Sequence, residues 1–225
     1  MAKEKSNDNC ATNVCAGLFP RQERPRERIV TAAQDMFYRH GFRAVGVDAI
    51  AEAAGTNKMT LYRHFGSKDD LIIACLTLAT EHADAIWTDI EAANPDDPIA
   101  RLRDWVVRAA QYVTADEPGC DLANAAVELR EAGHPALDLI IGFKQRQRDL
   151  LVKLCRDAGA TQPDLLADAL FLLLAGARVS RRGVGAEGPS SCLVRMCETI
   201  FESFGVRPRA ASPKAQAVRS AAQAR

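Results

Sequence analysis

Apolar residues recur three and four positions apart along most of the 225-residue chain, and glycine or proline falls between the runs. That spacing places apolar side chains on one face of an α-helix, whereas a half-buried strand would alternate every second residue. No long alternation of that kind occurs, so the pattern predicts an all-α fold of about nine helices. The first helix is expected over 25–40, with Pro25 in its first turn, Gly41 as its stop, and Ile29, Ala33, Met36 and Phe37 as its buried stripe. Two short helices follow, over 47–54 and from an Asn57 cap to Phe65. Ser67-Lys68-Asp69-Asp70 reads as the capped start of a fourth, over 68–92. Longer helices are expected near 98–115, 120–131, 135–158, 163–182 and 190–204. They are separated by Asn94-Pro95, Pro118-Gly119, Gly133-His134-Pro135, Gly159 and the stretch from Gly183 to Pro189.

Composition narrows the class. Apolar residues make up 48% and charged residues 26% of the chain, an ordinary globular balance. Nothing approaches the roughly 18 apolar residues in a row that a membrane span needs. The apolar patch from Val14 to Phe19 is too short for a signal-peptide core, so a cytoplasmic location is expected. Residues 1–24 and 205–225 read as disordered tails. The seven cysteines are irregularly spaced, without a zinc-binding pattern, and no metal or cofactor is implied. The 29 basic and 29 acidic residues cancel, but unevenly. Residues 21–70 sum to +2, residues 71–159 to −6 and residues 160–225 to +4. A neutral total therefore does not exclude a nucleic-acid partner, because affinity depends on where charges sit.

Two short helices joined by a glycine-containing turn make a helix-turn-helix, whose second helix fits the DNA major groove. In that second helix Leu61 and Phe65 face inward, while Lys58, Met59, Thr60, Tyr62 and His64 project outward or sideways. Gly41-Phe42, Val47 to Ala51, Ala54-Gly55 and above all the run from Thr60 to Lys68 resemble the TetR family of bacterial transcriptional regulators. The resemblance implies a three-helix DNA-binding domain over 25–70 and a helical effector and dimerisation domain over 71–204. It implies base contacts at Lys58 and Met59, a base or phosphate contact at Thr60, and phosphate contacts at Tyr62, His64 and Lys68. One departure is Val45-Gly46, where many members carry Thr and Ser that offer a hydroxyl to phosphate. Arg63 reads as an ordinary surface charge.

The second domain is less explicit. Cys120, Asn124 and Glu128 are four apart and share a helix face, which suits either a polar pocket wall or a partly exposed stripe. Trp105, Tyr112, Phe143 and Phe171, together with Trp87, are candidate pocket walls, each equally able to serve as plain core. The helix near 163–182 is apolar almost all round, and the last helix carries one apolar stripe. Leu166, Leu170, Leu173, Leu193, Met196, Ile200 and Phe201 are therefore expected at a dimer interface, against the alternative of an intramolecular core. The resemblance implies a homodimeric repressor, released from a palindromic double-stranded DNA operator by a small-molecule effector that the sequence does not identify. Two other readings compete. One is a thiol-based redox sensor using Cys120, placed at a helix start where a thiol pKa falls. The other is an enzyme, for which no phosphate loop, nucleophile elbow or catalytic residue is found.

Overall fold

The computed structural model describes residues 24–115, 121–129 and 133–207. Among these residues there are nine α-helices and one 3-10 helix, with no strand. They are α1 (Pro25–His40), α2 (Val47–Ala53), α3 (Lys58–Phe65), α4 (Lys68–Ala93), α5 (Pro98–Thr114), α6 (Asp121–Glu128), α7 (Pro135–Asp157), α8 (Pro163–Val184) and α9 (Leu193–Ser203). The 3-10 turn, Pro189–Cys192, leads into α9. Four of the helices, α1, α5, α7 and α8, have proline in the first turn, where the missing N–H costs nothing.

Two hydrophobic cores organise the chain. The first joins α1, α2, α3 and the start of α4 through Ile29, Phe37, Ile50, Leu61, Phe65 and Leu71. It does not stop at the helix-turn-helix. Leu122, Ala125 and Leu129 of the α6 region and Ala136, Ile140 and Phe143 of α7 belong to it as well. The expected boundary at residue 70 therefore crosses a continuous core. The second core holds Leu102 and Val106 of α5, Leu151 and Cys155 of α7, Leu166 and Leu170 of α8, and Leu193 and Phe201 of α9. Paired ions tie this body across its helices. Arg103 of α5 donates from Nε and Nη2 to the two oxygens of Glu198 on α9, both at 2.9 Å. Arg148 of α7 does the same to Asp168 of α8 at 2.6 and 2.8 Å. Such two-bond forks fix orientation as well as distance.

Three expectations are corrected here. Leu166, Leu170, Leu193 and Phe201 are at most 3% exposed within the single chain, so they fill its own core and present nothing to a second copy. The 120–131 helix ends at Glu128, and the expected 190–204 helix starts as a 3-10 turn with its α-helical part beginning at Leu193. The tail expected from 205 does not begin there. Val206 is buried in the second core, and its N–H reaches the Phe201 carbonyl at 2.9 Å, closing the end of α9. Residues 1–23 and 208–225 of the expected tails lie outside the described residues, as do Cys10 and Cys15.

Candidate nucleic-acid interface and internal cavity

Why α2 and α3 meet at a fixed angle is legible in their connection. Gly55 sits at φ 61°, a conformation that side chains disfavour. There its N–H bonds to the Glu52 carbonyl at 3.0 Å, and the Thr56 N–H bonds to the Ala51 carbonyl at 2.9 Å. This pair of bonds closes α2 and turns the chain within four residues. Asn57 then caps α3, its side-chain oxygen accepting from the Thr60 N–H at 2.9 Å. Leu61 and Phe65 anchor the inner face.

The outer face of α3 is open. Met59 is 83% exposed, and Lys58, Tyr62, Arg63 and His64 are exposed, with Thr60 half-buried at the edge. Lys58 donates to Asp48 of α2 at 3.0 Å, and that carboxylate holds its ammonium above the ordinary lysine range. An exposed pair of this kind adds little, so a competing phosphate or base can displace it. Val45, where a hydroxyl was absent from the expected pattern, is core at 4% exposed.

Lys68 departs from its expected role. Its ammonium turns inward, donating to the Phe42 carbonyl at 2.6 Å and lying 5.9 Å from the centre of the Phe37 ring. Burial lowers its pKa. It braces the α1–α2 turn.

The same turn is held from the far side by α6. The Glu128 carboxylate accepts from the Phe42 N–H at 2.7 Å and from the Arg43 N–H at 3.3 Å, while Arg43 Nε donates to the Glu128 carbonyl at 2.8 Å. Gly41, at φ 82°, makes room: a Cβ there would lie 2.8 Å from a Glu128 carboxylate oxygen. Glu128 is therefore a clamp on the reading head and not a pocket wall. Asn124 also lies outside the cavity lining, because α6 turns Leu122 and Ala125 inward and its polar stripe away. Cys120, the favoured reactive thiol, lies outside the described residues.

Between the two cores is a cavity of about 430 Å³. Trp87, Trp105, Tyr112, Phe143 and Phe171, all candidate pocket walls in the sequence, line it together. Tyr38 reaches it from α1, and Ala79 to Trp87 of α4 form one side, so the helix that begins at the reading head also borders the cavity. Sequence reasoning missed its polar members. His82, Arg108, Lys144 and Arg178 come from α4, α5, α7 and α8, so no local spacing could have grouped them.

The geometry defines a class first: a helix-turn-helix head set on a larger helical body, with a largely apolar cavity between the two cores. Residues 29–75 match the bacterial regulatory proteins of the tetR family. The transcriptional activator FasR of Mycolicibacterium smegmatis is 35% identical over 103 residues, which span 45% of this chain and 45% of that protein. The chain thus spans under half the length of the curated relatives it matches. Solved structures extend the likeness over the whole fold. A TetR-family regulator from Streptomyces coelicolor superposes with a TM-score of 0.72 at 25% identity, covering 80% of this chain and 95% of that one. A transcriptional regulator from Saccharomonospora viridis, solved in complex with choline, superposes at 0.64 with 20% identity, covering 79% and 95%. The head thus matches the tetR-family model, and the fold as a whole is shared with solved TetR-family regulators.

Proposed function

We propose that this protein is a homodimeric, DNA-binding transcriptional repressor, released from a palindromic operator when a small molecule enters the cavity. The observation that carries the reading is the open outer face of α3 on a head clamped to a cavity-bearing body. Met59, Lys58 and Thr60 are offered to base edges, and Tyr62 and His64 to phosphates. Two such helices in one dimer reach successive major grooves, roughly 34–36 Å apart. Helix α4 starts beneath the reading head and forms a cavity wall, so an occupant that shifts α4 changes that separation. The choline complex of the Saccharomonospora viridis regulator supports effector binding within this fold. A ligand releases DNA only if it favours the non-binding arrangement.

Selection from a random duplex library tests this. The recovered sequences should form an inverted repeat. Tyr62→Ala should weaken binding to every recovered sequence by about five- to tenfold, the loss of one phosphate hydrogen bond. Met59→Ala should change which sequences are recovered, because it removes an apolar base contact. Recovery of no repeat, or identical affinity and preference in both variants, would overturn the assignment.

A further inference from the structure

The cavity carries a charge that its segment of sequence does not advertise. Residues 71–159 sum to −6, yet among the described residues no Asp or Glu lines the cavity. Arg108, Lys144 and Arg178 are among the residues lining it, with His82 beside them. The one amide in the wall, Gln147, is already committed. Its oxygen accepts from Trp87 Nε1 at 2.5 Å, and its nitrogen donates to Asp84 at 2.9 Å. Arg108 is partly answered by Asp104, one turn earlier on α5, at 3.0 Å.

Arg178 is the informative member. Its guanidinium lies 3.4 Å from the centre of the Tyr112 ring, and its Nη1 is shut off from solvent without a hydrogen-bond partner. A buried cationic N–H left in that state is costly, and an anion is the group that relieves it most. Lys144 lies 5.4 Å from the Phe171 ring centre. The faces of Tyr112 and Phe171 are therefore already covered by the protein's own cations. An aromatic wall can hold a quaternary ammonium, but here two of its rings already carry a cation. What remains free is the Trp87–Trp105 pair, with ring centres 6.4 Å apart, which suits a flat apolar body.

We infer that the effector is an organic monoanion, a carboxylate or its equivalent on an apolar, aromatic-sized body. Its charge sits on Arg178, and its body lies against Trp87 and Trp105. This rests on the reading of the cavity as the effector site and names the chemistry that site selects.

The two tryptophans of the chain both line the cavity, so intrinsic fluorescence reports on it directly. Three probes share one body and differ in charge: phenylpropanoate, phenylpropanol and phenylpropyltrimethylammonium. Titrated into the full chain, the carboxylate should bind about tenfold or more tighter than the alcohol, as expected for a hydrogen bond to a charged group. The ammonium should give no saturable change. Arg178→Gln should lose most of the preference for carboxylate over alcohol, with its helical circular dichroism as the check on folding. Arg178→Lys should keep part of the preference. Equal binding of alcohol and carboxylate by the parent protein, or preference for the ammonium, would overturn the anion assignment while leaving the cavity a ligand site. No saturable change with any of the three would overturn the cavity as effector site and the anion assignment with it.

Discussion

Cys155 and Cys197 show how burial sets chemistry at single positions. Both thiols lie in the second core, and desolvation pushes Cys155 up to about 12 and Cys197 up to about 11 from an ordinary value of 9.0. The Glu198 carboxylate adds to the rise at Cys197. Neither is a thiolate near neutrality, and only a thiolate attacks an oxidant or a disulfide. Among the described cysteines, Cys75 is also buried, and Cys192 alone is half-buried. The raised values have a consequence for stability. In the unfolded chain these thiols ionise from about pH 9, while the folded chain keeps them neutral. Their contribution is complete below that pH and is lost as pH climbs towards 12. For Cys155 the loss between pH 8 and pH 10 comes to about 1.4 kcal/mol. Urea denaturation at those two pH values should show Cys155→Ala losing about that much less stability than the parent protein on the same step. An equal loss in both proteins would mean that Cys155 is not held neutral by the fold.

Helix α6 is the element whose role changed most between sequence and structure. The four-residue spacing of Cys120, Asn124 and Glu128 shows which side chains share a face but not what that face meets. Glu128 meets the Gly41-Phe42-Arg43 turn, a partner 85 and 86 residues away, and nothing local in the chain encodes that contact. The coupling is measurable. Glu128→Ala should cost about 1–3 kcal/mol, because it leaves two backbone N–H groups without their charged acceptor. Gly41→Ala should also destabilise, through its positive φ and through the clash with Glu128. The clash disappears in the double variant while the φ strain stays, so Gly41→Ala should cost less in the Glu128→Ala background. A double-mutant cycle by urea denaturation checks this, and simple additivity would deny the contact. Elsewhere the elements were open to reading. Pro25, Asn57, Ser67 and Pro135 mark helix starts by removing or satisfying the N–H groups of a first turn, a local effect visible in a local string. The cations of the cavity were not open to reading, because their meeting depends on the packing of four helices.

At the scale of the whole molecule, the proposed dimer needs an apolar surface to join two copies. Helix α8 was expected to need cover on all sides, and the structure divides it. Leu166 and Leu170 are covered by the chain itself. Leu165, Leu172 and Val179 are seven residues apart along the opposite face and stay exposed, Leu172 at 72% and Val179 at 73%. Gly176 and Gly183 lie on the same face, with no heavy atom within 4 Å of where a Cβ would be, so a second helix could approach there closely. Met196 on α9 is also exposed. The dimer surface proposed here is thus the outer stripe of α8 with Met196, and Leu173 and Ile200, both half-buried, at its margin. Sequence alone could not separate the two faces, since Leu166 and Leu172 are the same residue type in the same apolar run. Their variants should separate cleanly. Leu166→Ala should cost about 2–5 kcal/mol of stability, the usual result of a cavity in a packed core. Leu172→Glu should leave the fold of each chain intact and place a charge in the contact between copies. Sedimentation should then find it monomeric at concentrations where the parent protein is dimeric. Its DNA affinity should fall sharply although every α3 residue is unchanged, because one reading head alone cannot span both half-sites. A Leu172→Glu protein that stays dimeric and binds DNA at full strength would move the interface away from α8.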